Sequence, residues 1–338
     1  MRLSTSSSEA PLPTSSWIYT WVFAGILTGL ALGVWETFWR GRGFVPSVVE
    51  DNAAWIIARL GVRSESTVLV GSSRMQSGVD PEVWGFEADG RKPVQLAKLG
   101  TSPIPVLEDL AGQRSYTGLA VVEFASRDVF GLVRGPERAA ANVVREYRSA
   151  LNSPAKLSEA VLGRAIGARF AFLNPALSPK RMLKAASSGV WPEAPHFAMR
   201  RDRFRPVDFS KTDPERWMST VLERRIRYVP HRPTDAEMAS VLDRIGRAVS
   251  PIETRGGRVV FLNFPTCGKI REIDERRFPR DLYWDRLAAA TTAIMIHADD
   301  YPSLTAFNCP DGEHLDQRDT RAFTQALARI VKYRVSAS

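Results

Sequence analysis

The segment Val68-Leu69-Val70-Gly71-Ser72-Ser73-Arg74 decides the fold prediction for this chain. It begins with apolar residues that do not alternate with polar ones, which is typical of a strand buried on both faces of a parallel sheet. It ends in a turn of small residues, where such a strand passes into a helix. Open parallel sheets bind ligands beyond the carboxyl ends of their strands. We therefore expect a sheet covered by helices, with Ser73 at its functional edge.

Other short apolar segments predict the rest of the sheet. The expected strands are Pro93 to Leu96, Leu119 to Phe124, Gly257 to Leu262 and a weaker Leu304 to Phe307. Helical segments separate them, and Thr234 to Glu237 fits a capping box at the start of one. The last helix is expected to be capped by Asp319. This alternation predicts an α/β fold with three layers, α/β/α, and a mostly parallel five-stranded sheet.

Composition divides the chain into four segments. Residues 1–16 are rich in Ser, Thr and Pro and are expected to be disordered. Residues 17–39 form an apolar anchor, residues 40–63 a connector, and residues 64–338 the α/β domain. The roughly 130 residues between strands three and four exceed a normal crossover, so we expect a helical and basic insertion at about 132–250. Its expected helices are Pro136 to Ala150, Ala155 to Phe170 and Pro179 to Ser187.

The segment from Trp17 to Trp35 contains no charged residue. Its length is about sufficient to cross a bilayer core of roughly 30 Å. Aromatic residues at both ends suit the two interfaces of a membrane. A cleaved signal peptide and a helix buried in a soluble core are the alternatives. Arg2 and the amino terminus lie on one side of this segment and Arg40 and Arg42 on the other, so charge count alone slightly favours a cytoplasmic position for the domain that follows.

The formal net charge of +9 indicates either an anionic partner or an arginine-rich solvated surface. Part of this charge lies in the insertion, where basic and aromatic residues are interleaved. The residues are Arg200, Arg201, Arg203, Arg205, Arg224, Arg225 and Arg227, with Phe197, Phe204, Trp217 and Tyr228. Such a segment could bind a nucleic acid or an acidic sugar chain, or it could be a loop that covers the domain. No zinc spacing, P-loop or dinucleotide fingerprint is present, so no metal or organic cofactor is expected.

Candidate catalytic residues come from the two ends of the predicted domain. A serine hydroxyl needs a base to remove its proton, and a histidine base needs a carboxylate to orient it. Among the four histidines of the chain, His314 has an acid so placed, in Asp311-Gly312-Glu313-His314. Each motif alone is common, since Gly-Ser-Ser is also an ordinary capped turn. Together they predict a site in which Ser73, His314 and Asp311 are nucleophile, base and orienting acid. Glu313 and Asp316 are expected to be solvated.

These motifs resemble those of the SGNH/GDSL hydrolase family. Gly71-Ser72-Ser73-Arg74 resembles the first block, where a Gly-Asp-Ser turn carries the nucleophile, and Asp311-x-x-His314 resembles the last block. Gly100 falls where the second block supplies a glycine. The resemblance covers roughly residues 64–130 and 255–332. More narrowly, the chain resembles membrane-anchored SGNH-like proteins that act on bacterial cell-surface polymers.

The resemblance implies an oxyanion hole formed by the amides of Ser73 and Gly100. The third block normally adds an asparagine after strand three, but this chain reads Glu123-Phe124-Ala125-Ser126-Arg127-Asp128 there. Ser126 or Arg127 could donate instead, and Asn263 does not match by order. Loss of one such donor typically costs about 10²- to 10³-fold in rate. Ser72 is the alternative nucleophile, although its place in the pattern argues against it.

The resemblance further implies a serine esterase or O-acyltransferase that acts on a cell-envelope polysaccharide or glycolipid. A catalytically inactive protein that binds polysaccharide or scaffolds an envelope-biosynthesis complex is the alternative. Expected partners are the cytoplasmic membrane through residues 17–39, an acylated saccharide or glycolipid, and envelope-biosynthesis proteins, with no nucleic acid. The domain is expected on the periplasmic or extracellular side. There Cys267 and Cys309 could form a disulfide, although two free buried thiols are an equal alternative.

Overall fold

Five parallel strands form one sheet in the order β2-β1-β3-β4-β5. They are β1 Val68–Val70, β2 Val94–Gln95, β3 Leu119–Glu123, β4 Arg258–Asn263 and β5 Ile294–His297. Leu69 is paired with Val121 and Val121 with Val260, so the three central strands share one register. The predicted α/β fold with a five-stranded sheet is confirmed. The chain order reverses between β1 and β3, and open α/β sheets bind ligands at such a switch point.

The computed structural model describes the chain from residue 14 to residue 338 with short gaps. The residues outside the description are 1–13, 89, 131–133, 152, 154–157, 159–160, 162–165, 167–168 and 228–231. The disorder expected for residues 1–16 and the helix expected at Ala155 to Phe170 therefore fall mostly outside the described residues.

Helices cover both faces of the sheet because its central strands are apolar on both sides. One face packs on α2 Asn52–Leu60, α5 Ile104–Gly112, α6 Ser126–Phe130, α7 Arg134–Ala150, α10 Asp235–Thr254 and α12 Arg280–Ala290. The other packs on α3 Ser73–Gly78, α4 Pro81–Glu87, α13 Pro302–Thr305 and α14 Gln317–Ser336. Alternate strand residues divide between these cores, with Val122 on the first face and Val121 on the second. The predicted three layers follow from this alternation.

The last strand is not where the sequence pattern indicated. The segment expected as strand five, Leu304 to Phe307, instead begins within helix α13, because Pro302 occupies the first helical turn and presets the backbone angle for a helix. Leu304 is buried against the second face of the sheet. The true fifth strand, Ile294–His297, pairs with β4, with Ile296 opposite Leu262. The sequence pattern did not predict this strand, because the alanines and threonines before it continue the helical composition of α12.

The start of the last helix also differs from the prediction. Asp316, not Asp319, is the N-cap, and its side chain accepts the amide of Arg318 at 2.9 Å. Asp316 is therefore buried rather than solvated, and it also accepts the amide of Phe209 at 3.3 Å. Asp319 lies inside the first turn, where a carboxylate favours the helix dipole without capping it.

The segment between β3 and β4 contributes both to the core and to a cover over the sheet edge. The predicted capping box is present, with the side chains of Thr234 and Glu237 each accepting the other residue's backbone amide. The cover is residues 171–227. It contains the 3-10 turns Ala171–Leu173, Pro175–Leu177 and Phe209–Lys211, the helices α8 Pro179–Ser188 and α9 Pro214–Arg227, and the residues between them. Helix α9 contacts α11 Gly268–Arg277, beside the carboxyl end of β4. The cover thus lies over the edge where the site was predicted.

Helix α1, Thr14–Gly41, is exposed along its apolar length and joins the domain at its end. Residues Trp17–Gly41 have a mean hydropathy of 1.6 in their most apolar window, enough to cross a membrane by length and composition. At its carboxyl end, Trp39 is fully buried in a cluster with Phe44 and residues of the cover. The Glu36 carboxylate accepts the amides of Ala171 and Phe172 at 3.0 and 3.1 Å. The last turns of α1 are therefore part of the folded domain.

Candidate functional site

The turn after β1 is held by a buried carboxylate from the end of β3. Glu123 accepts hydrogen bonds from the Ser72 amide at 2.7 Å, the Ser72 hydroxyl at 2.8 Å and the Met75 amide at 3.1 Å. The Arg74 guanidinium pairs with the same carboxylate at 2.9 Å. Arg74 is therefore a structural residue of this turn. Both Ser72 and Ser73 border the cavity described below, but the Ser72 hydroxyl donates to Glu123, which leaves the Ser73 hydroxyl for a contact with a base.

Gly71 allows this close approach between the turn and Glu123. Its φ of +156° lies where side chains are rarely tolerated, and a Cβ at this position would lie 2.5 Å from the Cβ of Glu123. The carbonyl of Gly71 accepts the amide of Lys98 at 3.0 Å, which ties the loop after β2 to the turn after β1. This tie brings Gly100, with its φ of +67°, to the cavity that Ser73 borders.

Ser73, His314 and Asp311 form a continuous chain of hydrogen bonds. The Ser73 Oγ lies 2.9 Å from Nε2 of His314, and the His314 Nδ1 lies 2.8 Å from Oδ2 of Asp311. Asp311 is buried, and its other oxygen accepts the amides of Glu313 and His314. A carboxylate held in this way favours the tautomer with a proton on Nδ1, which leaves Nε2 free to accept the serine proton. The three residues predicted from distant parts of the sequence are thus in contact.

The surroundings of His314 favour its protonated form. Burial lowers the pKa of the imidazole, but the hydrogen bond and charge of Asp311, with the charge of Glu313, outweigh it and raise the pKa above the usual histidine value. Glu313 was expected to be solvated, but it is mostly buried and pairs with Arg225 at 2.5 Å. The charge of Arg225 keeps the pKa of Glu313 low despite burial. Glu313 therefore adds a negative charge beside the imidazole.

Candidate oxyanion donors separate into those near Ser73 and those facing elsewhere. Gly100 and Arg127 border the cavity that contains Ser73 and His314. Ser126 and Asn263 border a neighbouring cavity of about 330 Å³ instead. Arg127 borders both cavities, and its buried Nε has no hydrogen-bond partner within the described part of the chain. Of the two donors considered in place of asparagine, Arg127 borders the Ser73 cavity and Ser126 does not.

The cover lines part of the Ser73 cavity, which has a volume of about 460 Å³. Its lining from the cover includes His196, Phe197, Arg205, Phe209 and Trp217. The ring centroid of His196 lies 4.7 Å from those of Phe197 and Trp217. Burial and the charge of Arg205 lower the pKa of His196. The sequence pattern had indicated a basic and aromatic segment here, but it did not place that segment opposite Ser73, and it assigned no role to His196.

Cys267 and Cys309 lie together as free thiols beside the loop that carries Asp311. The amide of Cys309 donates to Sγ of Cys267 at 3.3 Å. The Cys309 side chain and amide lower the pKa of the Cys267 thiol, against the effect of burial. A disulfide between them stays a prediction. Among the described residues, no group of three or more His, Cys, Asp or Glu could hold a metal ion.

No family model matches this sequence, and a search of curated proteins finds no similar sequence.

Proposed function

We propose that this chain is a membrane-anchored serine esterase or O-acyltransferase that acts on a cell-envelope polysaccharide or glycolipid. The observation that carries the proposal is the hydrogen-bonded chain from Ser73 through His314 to Asp311. Nucleophile, base and orienting acid with these contacts are the geometric signature of acyl transfer through a serine. The parallel α/β fold is compatible with such a hydrolase.

The proposed reaction has two halves. His314 accepts the proton of Ser73 as the Ser73 oxygen attacks the ester carbonyl. The imidazolium then donates this proton to the leaving sugar oxygen as its bond to the carbonyl carbon breaks, which releases the sugar with a free hydroxyl. The Ser73 acyl ester is released by water in an esterase, or by a second hydroxyl in a transferase. The amides of Ser73 and Gly100 are the proposed oxyanion donors, and Arg127 replaces the asparagine donor. No metal or organic cofactor has a part in these steps.

The alternative is a catalytically inactive SGNH-like protein that binds polysaccharide or scaffolds an envelope-biosynthesis complex. The observation that favours it is the residue after β3, where the third block would supply an asparagine and this chain has Ser126-Arg127. A flexible arginine is a less preorganised donor than a short amide side chain, so the site could bind an ester without turning it over.

A serine-directed fluorophosphonate tests the proposed function. We expect it to label Ser73, because Ser73 attacks phosphorus, fluoride leaves, and His314 takes the proton. The labelling rate is expected to rise with pH through an apparent pKa above the usual histidine range, because only neutral His314 is a base. Asn in place of Asp311 removes the contact that raises the pKa of His314. The midpoint of the plot of labelling rate against pH is therefore expected to move to lower pH in this variant. Mass spectrometry of the labelled peptide at several pH values measures both.

Three outcomes of this experiment separate the alternatives. No labelling of the folded wild-type protein at any pH contradicts an active serine and favours the binding protein. Labelling at Ser72 contradicts the assignment of the nucleophile. An unchanged midpoint in the Asp311→Asn variant contradicts the proposed role of Asp311 as the group that sets the basicity of His314.

The proposed anchor is helix α1, placed in the cytoplasmic membrane. A signal peptide is removed during export, but Trp39 and Glu36 are built into the domain through contacts with residues 171–177. Removal of α1 would leave this cluster open, which supports an anchor over a cleaved signal. We propose that the domain lies on the periplasmic or extracellular side, where the Cys267 and Cys309 thiols could be oxidised.

Paired C-terminal fusions test this placement. Alkaline phosphatase, which is active after export, and a green fluorescent protein, which fluoresces in the cytoplasm, are each joined after Ser338. We expect phosphatase activity without fluorescence. The reverse result would overturn the external placement and agree with the weak preference from Arg40 and Arg42. Alkylation of the two cysteines only after reduction would be independent support for an oxidising compartment.

A further inference from the structure

Three arginines of the cover are neutralised by carboxylates of this chain. The pairs are Arg200 with Asp80 and Asp202, Arg203 with Glu50, and Arg225 with Asp274 and Glu313. Arg203 is fully buried and also donates to the carbonyls of Gln95 and Ala97. These arginines hold the cover onto the domain, and their charge is not available to a ligand.

Arg205 differs from these arginines. No carboxylate among the described residues forms an ion pair with it, and its guanidinium lies 3.6 Å from the ring centroid of Phe197. Burial lowers its pKa, and the charge of Glu50 opposes this effect without outweighing it. The oxygens of Glu50 already accept hydrogen bonds from Arg203 and Gln76. A half-buried cation without its own counter-ion is costly, and an anionic ligand would offset that cost.

Arg205 borders the same cavity as Ser73 and His314. The charges of Arg205, Asp311 and His314 all act on His196, which lies on the cavity wall. Arg224 adds a second guanidinium that has no carboxylate partner among the described residues. An anion bound to Arg205 and an acyl group on Ser73 would therefore occupy the same cavity, so both could belong to one small ligand.

The remaining lining suits a sugar. Arg127 has a buried Nε without a partner in the described part of the chain, so it retains donor capacity beside the cavity. Guanidinium donors match the oxygens of a carboxylate or phosphate. The rings of Phe197 and Trp217 supply apolar faces in the same wall. The cavity volume of about 460 Å³ is enough for one or two sugar residues.

We propose that this cavity recognises a saccharide bearing an anionic group next to its acyl ester, and that Arg205 binds that carboxylate or phosphate. The inference rests on the proposed acyl transfer at Ser73 and names its substrate class. The anion could belong to a uronic acid or to a sugar phosphate, which present the same negatively charged oxygens to a guanidinium.

Three matched acetyl esters test the proposal with the full chain in detergent. They are mono-O-acetyl glucuronic acid, mono-O-acetyl glucose 6-phosphate and mono-O-acetyl glucose, and acetate release gives kcat/KM. We expect at least one anionic ester to exceed the neutral one by about 10-fold or more, since hydrogen bonds to charged groups contribute about 1.5–3 kcal/mol. Arg205→Gln is expected to lower kcat/KM for that anionic ester about 10- to 100-fold more than for the neutral ester. The better anionic ester identifies the source of the anion.

The control variant is Arg247→Gln, which removes the same charge. Arg247 is exposed on α10, pairs with Asp243, and borders neither the Ser73 cavity nor its neighbour. It is expected to keep the preference of wild type for the anionic ester. Equal turnover of all three esters by wild type, or an equal loss on all three in Arg205→Gln, would overturn the inference.

Calorimetric binding of the products separates this inference from the proposed function. Glucuronic acid and glucose 6-phosphate are titrated into wild type and Arg205→Gln, without any ester. Weaker binding to the variant, by about 10-fold or more, supports the anion site even if no ester is hydrolysed. Equal binding to both proteins, or none to wild type, overturns it. Failure of ester hydrolysis and serine labelling alone would count only against the proposed function.

Discussion

Alanine in place of Ser73 is expected to lower kcat/KM for an acetyl ester by about 10⁴- to 10⁶-fold, the range typical of a removed serine nucleophile. The side chain of Ser73 contributes the oxygen that lies 2.9 Å from the base, and alanine leaves His314 without a proton donor. The free energy of unfolding should change little, because Ser73 is only partly buried at the cavity edge. Initial rates with 4-nitrophenyl acetate, with circular dichroism as the test of folding, measure this effect.

Ser72→Ala is the matched control for Ser73. It removes the hydrogen bond to Glu123 but leaves the proposed nucleophile in place, so we expect a stability loss of about 1 kcal/mol and a much smaller loss of rate. The Ser73→Ala/His314→Ala double variant should be about as slow as either single variant, because residues that act as a unit are not additive. Abolition of activity by Ser72→Ala alone, with Ser73→Ala nearly unaffected, would contradict the assignment.

Glutamine in place of Glu123 is expected to lower the free energy of unfolding by about 3–5 kcal/mol, because it leaves the buried guanidinium of Arg74 without its counter-ion. Every contact that Glu123 makes in the β1 turn is with a donor: two amides, a hydroxyl and a guanidinium. The amide nitrogen of glutamine would face one of these donors. Urea unfolding followed by fluorescence measures the change.

Glu65→Gln provides the matched comparison. Glu65 pairs with Arg91 at 3.3 Å, but both side chains are more than two-thirds exposed, so its loss should cost about 1 kcal/mol or less. Equal destabilisation by the two substitutions would contradict the central role of Glu123 in the turn. Ester turnover by Glu123→Gln should also fall, since a displaced turn moves Ser73 from His314, where misplacement of about 1 Å can cost about 10²-fold.

The position of Glu123 also bears on the missing asparagine. In this chain the end of β3 supplies the carboxylate that holds the turn containing Ser73, and the following helix supplies Arg127 on the cavity wall. Within residues 123–128, Glu123 therefore has a structural role and Arg127 a proposed catalytic role. Neither role follows from the segment alone, because both depend on contacts with the turn after β1.

Local patterns in the sequence determined much of this protein. Local composition and spacing, which involve only neighbouring residues, predict the buried strands β1, β3 and β4, the capping box at Thr234 and the apolar helix α1. The pairing of Asp311 with His314 was also accessible, because a separation of three residues places both in one turn. The fifth strand was missed because its short apolar run lies between segments of helical composition.

Tertiary structure alone decided which groups remain free to act. Ser72 and Ser73 are adjacent and chemically identical, but the hydroxyl of Ser72 contacts Glu123 from another strand and that of Ser73 contacts His314. Likewise Arg203 and Arg205 differ because the carboxylate of Glu50 reaches the first and leaves the second without an ion pair. Ion pairs and hydrogen bonds depend on separations of about 3 Å between residues distant in the chain. A sequence pattern specifies the elements, but those separations exist only once the elements have packed.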